Sequence, residues 1–422
     1  MRDVLPQDAE IFDKIEGVVK SIASFYGFER IETPAVEEAG LFLRGRGEMS
    51  HFPEKELFQF RSSGGSLLAL RPEGFLPVAR SYIENNMADL SPPLKLFYSG
   101  RFFRDEEQRR GYQKTFHQFG LTVLGEETAV AEAEILQVFF LALSELGIKN
   151  LFIHLNSIGC FECHPGYRSQ LSSYYRSKTQ RLCKNCKRNF KRSPIKLLEC
   201  SDEKCVIVKQ NAPQVLDSIC EICKNSFKEL LEFFDEINIP YILDPRLMGT
   251  FNYYSRTVFK IYSEIQKDGD EKERLTIGSG GRFDTMIQNL GGKPTPAVGG
   301  VIGFERVLHL LRKSAITNLN KEAPQVFLIQ LGDLSKRKSF SILENLRKAD
   351  IPVYESLGKD SIKTQLKIAA KIGSPIALIL GQKEAIDKTI IVREMDSGIQ
   401  ETTPQEKLID LLRRKLNVSP KN

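Results

Sequence analysis

All eight cysteines of the 422-residue chain fall between positions 160 and 223. They form four close pairs, Cys160 and Cys163, Cys183 and Cys186, Cys200 and Cys205, Cys220 and Cys223, three of them with C-x-x-C spacing. Two thiols a turn apart can grip one metal ion, and two such pairs complete a tetrahedron. Eight thiolates suffice for two zinc sites, or for one site with spares. The alternative is a set of small reduced residues in a helical segment without metal, and His164 beside Cys163 is a conceivable further ligand. The spacing points to metal ligation over disulfides and so to a reducing compartment. It also sets residues 158–232 apart as a cysteine-rich stretch.

The same segment concentrates charge. Ten Lys or Arg stand against one acid, Glu199, between positions 165 and 200, although the whole chain carries only +6. A basic patch on an otherwise slightly acidic chain suits a polyanion such as RNA, and a solvated helical face is the plain alternative. With 41% hydrophobic residues the chain can bury two or three cores. No apolar run is long enough to cross a bilayer, and Met1-Arg2-Asp3-Val4-Leu5-Pro6 has no hydrophobic signal core, so a soluble, cytoplasmic protein is expected.

Outside the cysteine-rich stretch the patterning alternates between helix and strand. Ile11, Ile15, Val18, Val19, Ile22 and Phe25 recur at helical spacing over 7–27, and a strand-like run follows at 28–34. Two strands, 95–105 and 113–124, flank the charged loop Glu106-Glu107-Gln108-Arg109-Arg110-Gly111, which makes a long antiparallel hairpin. A helix is expected near 127–147. Residues 314–323 read as a linker. Beyond it, strands at 326–331, 353–355 and 376–380 alternate with helices near 337–349 and 361–372, the pattern of a βαβ sheet. A hairpin turn at Asp396-Ser397-Gly398 and a helix over 404–416 close the chain.

Three strings carry a resemblance. Gly27-Phe28-Glu29-Arg30-Ile31-Glu32-Thr33-Pro34 is similar to motif 1 of the class II aminoacyl-tRNA synthetases. Phe103-Arg104-Asp105-Glu106, followed by Gly111 and His117-Gln118-Phe119-Gly120, resembles motif 2. The glycine-rich run from Pro294 to Arg306 resembles motif 3. Leu70-Arg71-Pro72-Glu73-Gly74, Tyr253-Tyr254-Ser255-Arg256-Thr257 and Gly280-Gly281-Arg282-Phe283-Asp284 are similar to strings of the histidine-specific members. The resemblance implies an α+β catalytic domain with an antiparallel sheet over 1–157 and 233–313, the helical cysteine-rich insertion at 158–232, and an α/β anticodon-binding domain over 324–422.

It also implies a chemistry, ATP-dependent attachment of histidine to its tRNA through an aminoacyl-adenylate, with magnesium on the nucleotide. Arg104 and Arg306 would hold ATP, with Glu106 on adenine. Glu73, Gln118, Tyr253 and Tyr254 would hold histidine. Arg109, Arg110, Lys187, Arg188, Lys191 and Arg192 would face tRNA, the eight cysteines would take structural zinc, and motif 1 would build a homodimer. Five residues depart from the family pattern. Gly249 occupies the place of a catalytic arginine, Thr122 that of a glutamate on the imidazole, Phe75 that of a threonine beside the amino group, and Glu107 and Tyr112 those of motif 2 arginines. The glycine leaves space that an extra magnesium could fill. Together the departures leave room for a catalytically impaired paralogue that binds tRNA or a protein, and for an enzyme with another amino-acid choice.

Overall fold

The structure is a computed structural model that describes residues 3–43, 56–90, 92–105, 113–191, 194–200, 202–249, 253–266, 272–313, 325–356 and 361–416. The chain divides into two compact units, residues 1–317 and 318–422. The expected linker at 314–323 lies outside the described residues.

In the first unit, helix α1 (Pro6–Phe25) leads to β1 (Glu29–Arg30), β2 (Val36–Glu38) and α2 (Ala39–Leu43). Strands β3 (Gln59–Arg61) and β4 (Leu67–Leu70) join β2 in a small antiparallel sheet, before α3 (Phe75–Glu84). The hairpin comes next as β5 (Leu94–Phe103) and β6 (Thr115–Leu124), then α4 (Val130–Glu145) and β7 (Leu151–Ser157). The cysteine-rich stretch is helical, with α5 (Cys163–Arg176), α6 (Lys184–Asn189), α7 (Glu203–Lys209) and α8 (Glu221–Ile237). The chain returns through β8 (Tyr241–Leu243), β9 (Ser255–Gln266), β10 (Lys272–Arg282), α9 (Met286–Asn289), β11 (Ala297–Gly303) and α10 (Phe304–Lys313).

These strands form one eight-stranded sheet in the order β1-β5-β6-β11-β10-β9-β7-β8. Every pair from β5 to β7 is antiparallel, and only the two edge pairs run parallel. Helix α1 buries Ile11, Phe12, Ile15, Val19 and Ala23, whereas Phe25 is 86% exposed. The apolar spacing places Phe25 on the buried face, but two residues beyond Ala23 a helix has turned about 200° away from it. The strand expected at 28–34 shrinks to β1: Ile31 still donates to the Phe97 carbonyl at 2.8 Å, but Thr33 is held by a side chain instead of a ladder. Arg71 Nη1 donates to the Thr33 carbonyl at 2.6 Å and to its hydroxyl at 3.1 Å.

The second unit holds a five-stranded sheet, order β13-β12-β14-β15-β16. Parallel β12 (Val326–Gln330), β13 (Val353–Glu355) and β14 (Ile376–Leu380) carry on into antiparallel β15 (Thr389–Glu394) and β16 (Gln400–Pro404). Helices α11 (Asp333–Lys348), α12 (Ile362–Lys371), α13 (Gln382–Asp387) and α14 (Leu408–Leu416) complete it. The central strands are buried on both faces, with Val326, Leu328 and Leu378 on one and Phe327, Ile329 and Ala377 on the other. That is why they read as unbroken apolar runs. The final helix starts later than expected, since Gln405–Lys407 form a 3-10 turn. Among the described residues no helix is long and apolar enough to cross a membrane.

Candidate active site and cysteine clusters

Alternation along β5 and β6 decides which side chains share a face. Gln118, Gly120 and Thr122 point one way. Tyr98, paired with Gly120, lies over it on that face. A Cβ on Gly120 would stand 2.1 Å from Tyr98 Cζ, and one on Gly74 would stand 2.2 Å from the same atom. The ring is therefore wedged between two glycines, and its hydroxyl, fully buried, finds no partner among the described residues. Gln118 Oε1 and Thr122 Oγ1 are also buried without a partner among the described residues. Orphaned polar atoms on one sheet face mark a place prepared for a polar ligand.

Glu73 lies just ahead of α3. Its carboxylate accepts from the backbone amides of Phe75 (2.6 Å) and Leu76 (2.8 Å), capping the helix, and from the Tyr253 hydroxyl at 3.4 Å. Only 2% of the residue is exposed. Burial pushes its pKa up to about 7, against the pull of those amides and of Arg104. Arg104 reaches the same place from the end of β5, donating Nε to the Pro72 carbonyl at 2.9 Å with its guanidinium over the Phe116 ring. Tyr254 packs 4.9 Å from Tyr253, centroid to centroid. Arg306 closes the row, because its stem passes 3.8 Å from where a Cβ of Gly303 would stand, and Gly303 pairs with Gln118.

The opposite side of this hairpin is wired to motif 3. His117 donates its backbone amide to Glu305 Oε1 at 2.9 Å, and its Nδ1 stands 3.2 Å from that oxygen. Arg101 donates Nε to His117 Nε2 at 3.0 Å, which fixes the neutral tautomer with hydrogen on Nδ1. A cavity of about 530 Å³ lies beside them, lined by Asp8, Arg101, His117, Glu305, Arg306 and His309 among others.

The departures are filled with aromatic side chains. Phe75 is buried with its ring over Gly299, where a Cβ would come within 2.5 Å, and Gly299 pairs with Thr122. Two substituted positions are thus neighbours on one floor. A Cβ at Gly249 would stand 2.4 Å from Tyr254 Cδ2, and one at Gly281 2.9 Å from Tyr254 Cδ1. The room expected for an extra cation beside Gly249 is taken up by the Tyr254 ring. The segment is also no strand, as Arg246 sits in an exposed turn held by Asp244.

The structure therefore brings together Glu73, Gln118, Arg104, Tyr253, Tyr254 and Arg306 on one side of the sheet. Glu106, Arg109, Arg110 and Arg192 lie outside the described residues, as do Glu107 and Tyr112. Lys187, Arg188 and Lys191 are exposed at and just after the end of α6. Sequence reasoning misses Tyr98, although it stands six residues before Arg104 and so shares its face by simple alternation. Arg282 of the Gly280–Asp284 string is structural here. Wholly buried, it pairs with Glu132 and donates to the carbonyls of Glu126 and Thr128.

The cysteines sort into two clusters, Cys160, Cys163, Cys220 and Cys223, and Cys183, Cys186, Cys200 and Cys205. In each, the four sulfurs lie within 4.8 Å of one another. In the first, Cys160 Sγ is 3.6 Å from Cys163 Sγ and 4.0 Å from Cys220 Sγ. A tetrahedron with zinc–sulfur arms of about 2.3 Å has edges of about 3.8 Å, so both spacings fit. Backbone amides point at the sulfurs, from Cys220 to Cys163 (3.1 Å), from Cys183 to Cys205 (3.3 Å) and from Cys186 to Cys183 (3.4 Å). The Cys223 amide draws the Cys220 thiol down to about 7, whereas burial raises Cys163 and Cys223.

Comparison with known proteins agrees with this arrangement. A sequence model described as histidyl-tRNA synthetase matches residues 1–307, and one described as anticodon binding domain matches residues 325–415. The chain belongs to the histidyl-tRNA synthetase family. A histidine–tRNA ligase of Dehalococcoides mccartyi is 37% identical over 98% of both chains. One of Pelotomaculum thermopropionicum is 35% identical over 98% of this chain and 96% of its own. The apo histidyl-tRNA synthetase of S. aureus superimposes with a TM-score of 0.79 at 27% identity, covering 98% of each chain. The eight-stranded sheet is thus the class II catalytic sheet of a histidyl-tRNA synthetase, and the second unit carries the family's anticodon-binding fold.

Proposed function

We propose that this chain joins histidine to the α-phosphate of ATP and passes the histidyl group to its tRNA. The observation that carries the reading is the buried Glu73 carboxylate, held with Tyr253 and Arg104 beside orphaned Gln118 and Tyr98. It is a negative charge kept dry for an ammonium group, next to a cation suited to a phosphate. Glu73 takes the amino group with Gln118, and Tyr254 closes over the substrate. Arg104 and Arg306, at the two ends of the row, offset charge on the nucleotide, and Glu106 faces adenine. Such a site works by alignment and charge neutralisation. Magnesium, when bound, adds charge neutralisation on the phosphates. Among the described residues the floor at Thr122 offers no carboxylate to the imidazole, so Thr122 and Tyr98 hydroxyls take its nitrogens as neutral partners.

The other assignments complete the reading. The catalytic domain spans 1–157 and 233–313, the insertion 158–232 and the anticodon-binding domain 324–422, with the linker at 314–323. Lys187, Arg188, Lys191 and Arg192, with Arg109 and Arg110, contact tRNA, and the cysteines hold structural zinc. The exposed edge strand β1 and helix α1 meet a second copy in a homodimer, an arrangement two-fold symmetry permits with one surface. Histidine-dependent exchange of pyrophosphate into ATP, run across the twenty amino acids, tests the central claim. Exchange with histidine alone is expected, and none with any amino acid removes it. Light scattering should return the mass of two chains, and a monomer at micromolar concentration refutes the dimer.

A further inference from the structure

The two cysteine clusters stand at different distances from the active site in the fold. Cys160 and Cys163 lie directly beyond β7, and Cys220 and Cys223 open α8, so this cluster ties the two roots of the insertion together. Cys183, Cys186, Cys200 and Cys205 lie wholly within the insertion, around α6 and the start of α7.

The root cluster touches the sheet through Gly159. Gly159 has φ +77 and packs against Cys163, where a Cβ would come within 2.6 Å of Cys163 Cβ. The Gly159 carbonyl accepts from the Arg256 amide at 2.8 Å, and the Ile158 amide donates to the Arg256 carbonyl at 2.7 Å. Arg256 is itself unusual, a non-glycine residue at φ +51. The register of β9 on β10 slips beside it, since Gly281 faces Val258 while Arg282 faces Ser255. A side-chain-bearing residue keeps such a conformation only where its surroundings force it. Here Ile158 and Gly159 do so, and the turn they hold ends two residues after Tyr254 and three after Tyr253, which reaches Glu73.

We propose that each cluster binds one zinc ion, and that the root site is a positioning device for the amino-acid pocket while the tip site shapes the basic arm. This rests on the zinc assignment and on the synthetase reading of the sheet site. With the root ion bound, Cys160 and Cys163 are fixed to Cys220 and Cys223. Gly159 then presents its carbonyl to Arg256, and the Tyr253-Tyr254 turn stays closed on Glu73. The tip ion orders α6, with Lys187 and Arg188, against α7, where Lys209 Nζ donates to the carbonyls of Leu198 (3.1 Å) and Cys200 (2.8 Å).

The test compares full-length wild type with the double variants C220S/C223S and C183S/C186S. Elemental analysis should find two zinc ions per chain in wild type and one in each variant. Hydrogen exchange at the Arg256 amide should quicken in the root variant and stay as wild type in the tip variant. In pyrophosphate exchange the root variant should lose histidine affinity on the order of tenfold to a hundredfold with the KM for ATP unchanged. The tip variant should activate histidine as wild type does and bind tRNA more weakly. Equal Arg256 protection in all three proteins overturns the staple, as does equal loss of histidine affinity in both variants. Metal-free wild type with full exchange activity overturns the zinc assignment and leaves the synthetase reading standing. Wild type with two zinc ions and no exchange overturns the synthetase reading alone, because the amide measurement still decides the staple. If the root variant does not fold, zinc titrated out of C183S/C186S with a mercurial empties the root site alone and gives the same amide comparison.

Discussion

The sheet site and the cysteine insertion gather reactive groups by opposite means. On the sheet, rings are seated on glycines: Tyr98 between Gly74 and Gly120, Tyr254 between Gly249 and Gly281, Phe75 over Gly299. Packing alone places these groups, so the pocket is formed before any substrate arrives. In the insertion, burial keeps Cys163, Cys186, Cys205 and Cys223 protonated in the absence of metal, and α6 and α7 around the tip cluster are short. A thiolate cluster there forms together with its cation. Catalytic geometry is therefore stored in apolar packing, whereas on the proposed zinc assignment the arm's geometry would depend on metal supply.

The sharpest way to break this contrast is Glu73→Gln. Removing the buried charge should lower histidine activation by on the order of a hundredfold or more, read as kcat/KM in pyrophosphate exchange. The same change should stabilise the fold. Glu73 has its ordinary pKa, 4.5, when unfolded and about 7 when folded. Folding thus disfavours its charged form, and wild-type stability falls as pH rises from 4.5 to 7 by up to about 3 kcal/mol, then levels. Thermal melts across that range should show the slope in wild type and lose it in Glu73→Gln. An unchanged slope means that the sheet site is not preformed around a costly charge.

Gly249→Arg sharpens the sheet side. Restoring the family's arginine should not help, because its Cβ collides with the Tyr254 ring. Overpacking of this kind costs about 1–3 kcal/mol, so a lower melting temperature and slower activation are expected. Faster activation would show that the ring moves aside at no penalty.

The smallest effect belongs to the arm. Replacing Lys187, Arg188 and Lys191 with glutamate should weaken tRNA binding and reduce the slope of log affinity against log salt by about 2 to 3, if each lysine or arginine meets a phosphate. Histidine activation should not change. A constant slope removes these residues from the RNA interface.

How far the sequence can be read obeys the same division. The β5–β6 hairpin, the glycine-rich β11 and the βαβ module show as short-range patterns with fixed turn chemistry, and all three are present. Glu73, Gln118 and Arg104 are legible because they lie in continuous strings. Tyr98 is not, since nothing in a single strand announces that two glycines distant in sequence will clamp its ring. The neighbourhood of Phe75 and Thr122 is likewise a property of the β6–β11 register. The sorting of eight cysteines into two clusters is also open at the level of sequence, because the root cluster pairs residues across a segment that only the folded helices bring together.

Helix α1 carries a further consequence. Phe12 packs 5.0 Å from His117 and 5.3 Å from Phe304, ring to ring, and Asp8 is paired with Arg312 across 304 positions of sequence. Helix α1 also packs on α4, which is made much earlier, but these last contacts wait for α10. Until then Phe12 lacks the Phe304 ring on a nascent chain of some three hundred residues, at a synthesis rate of about 5–20 residues per second. For tens of seconds α1 is only partly covered. The interval in which chaperones would matter for this protein is therefore set by the distance between α1 and α10.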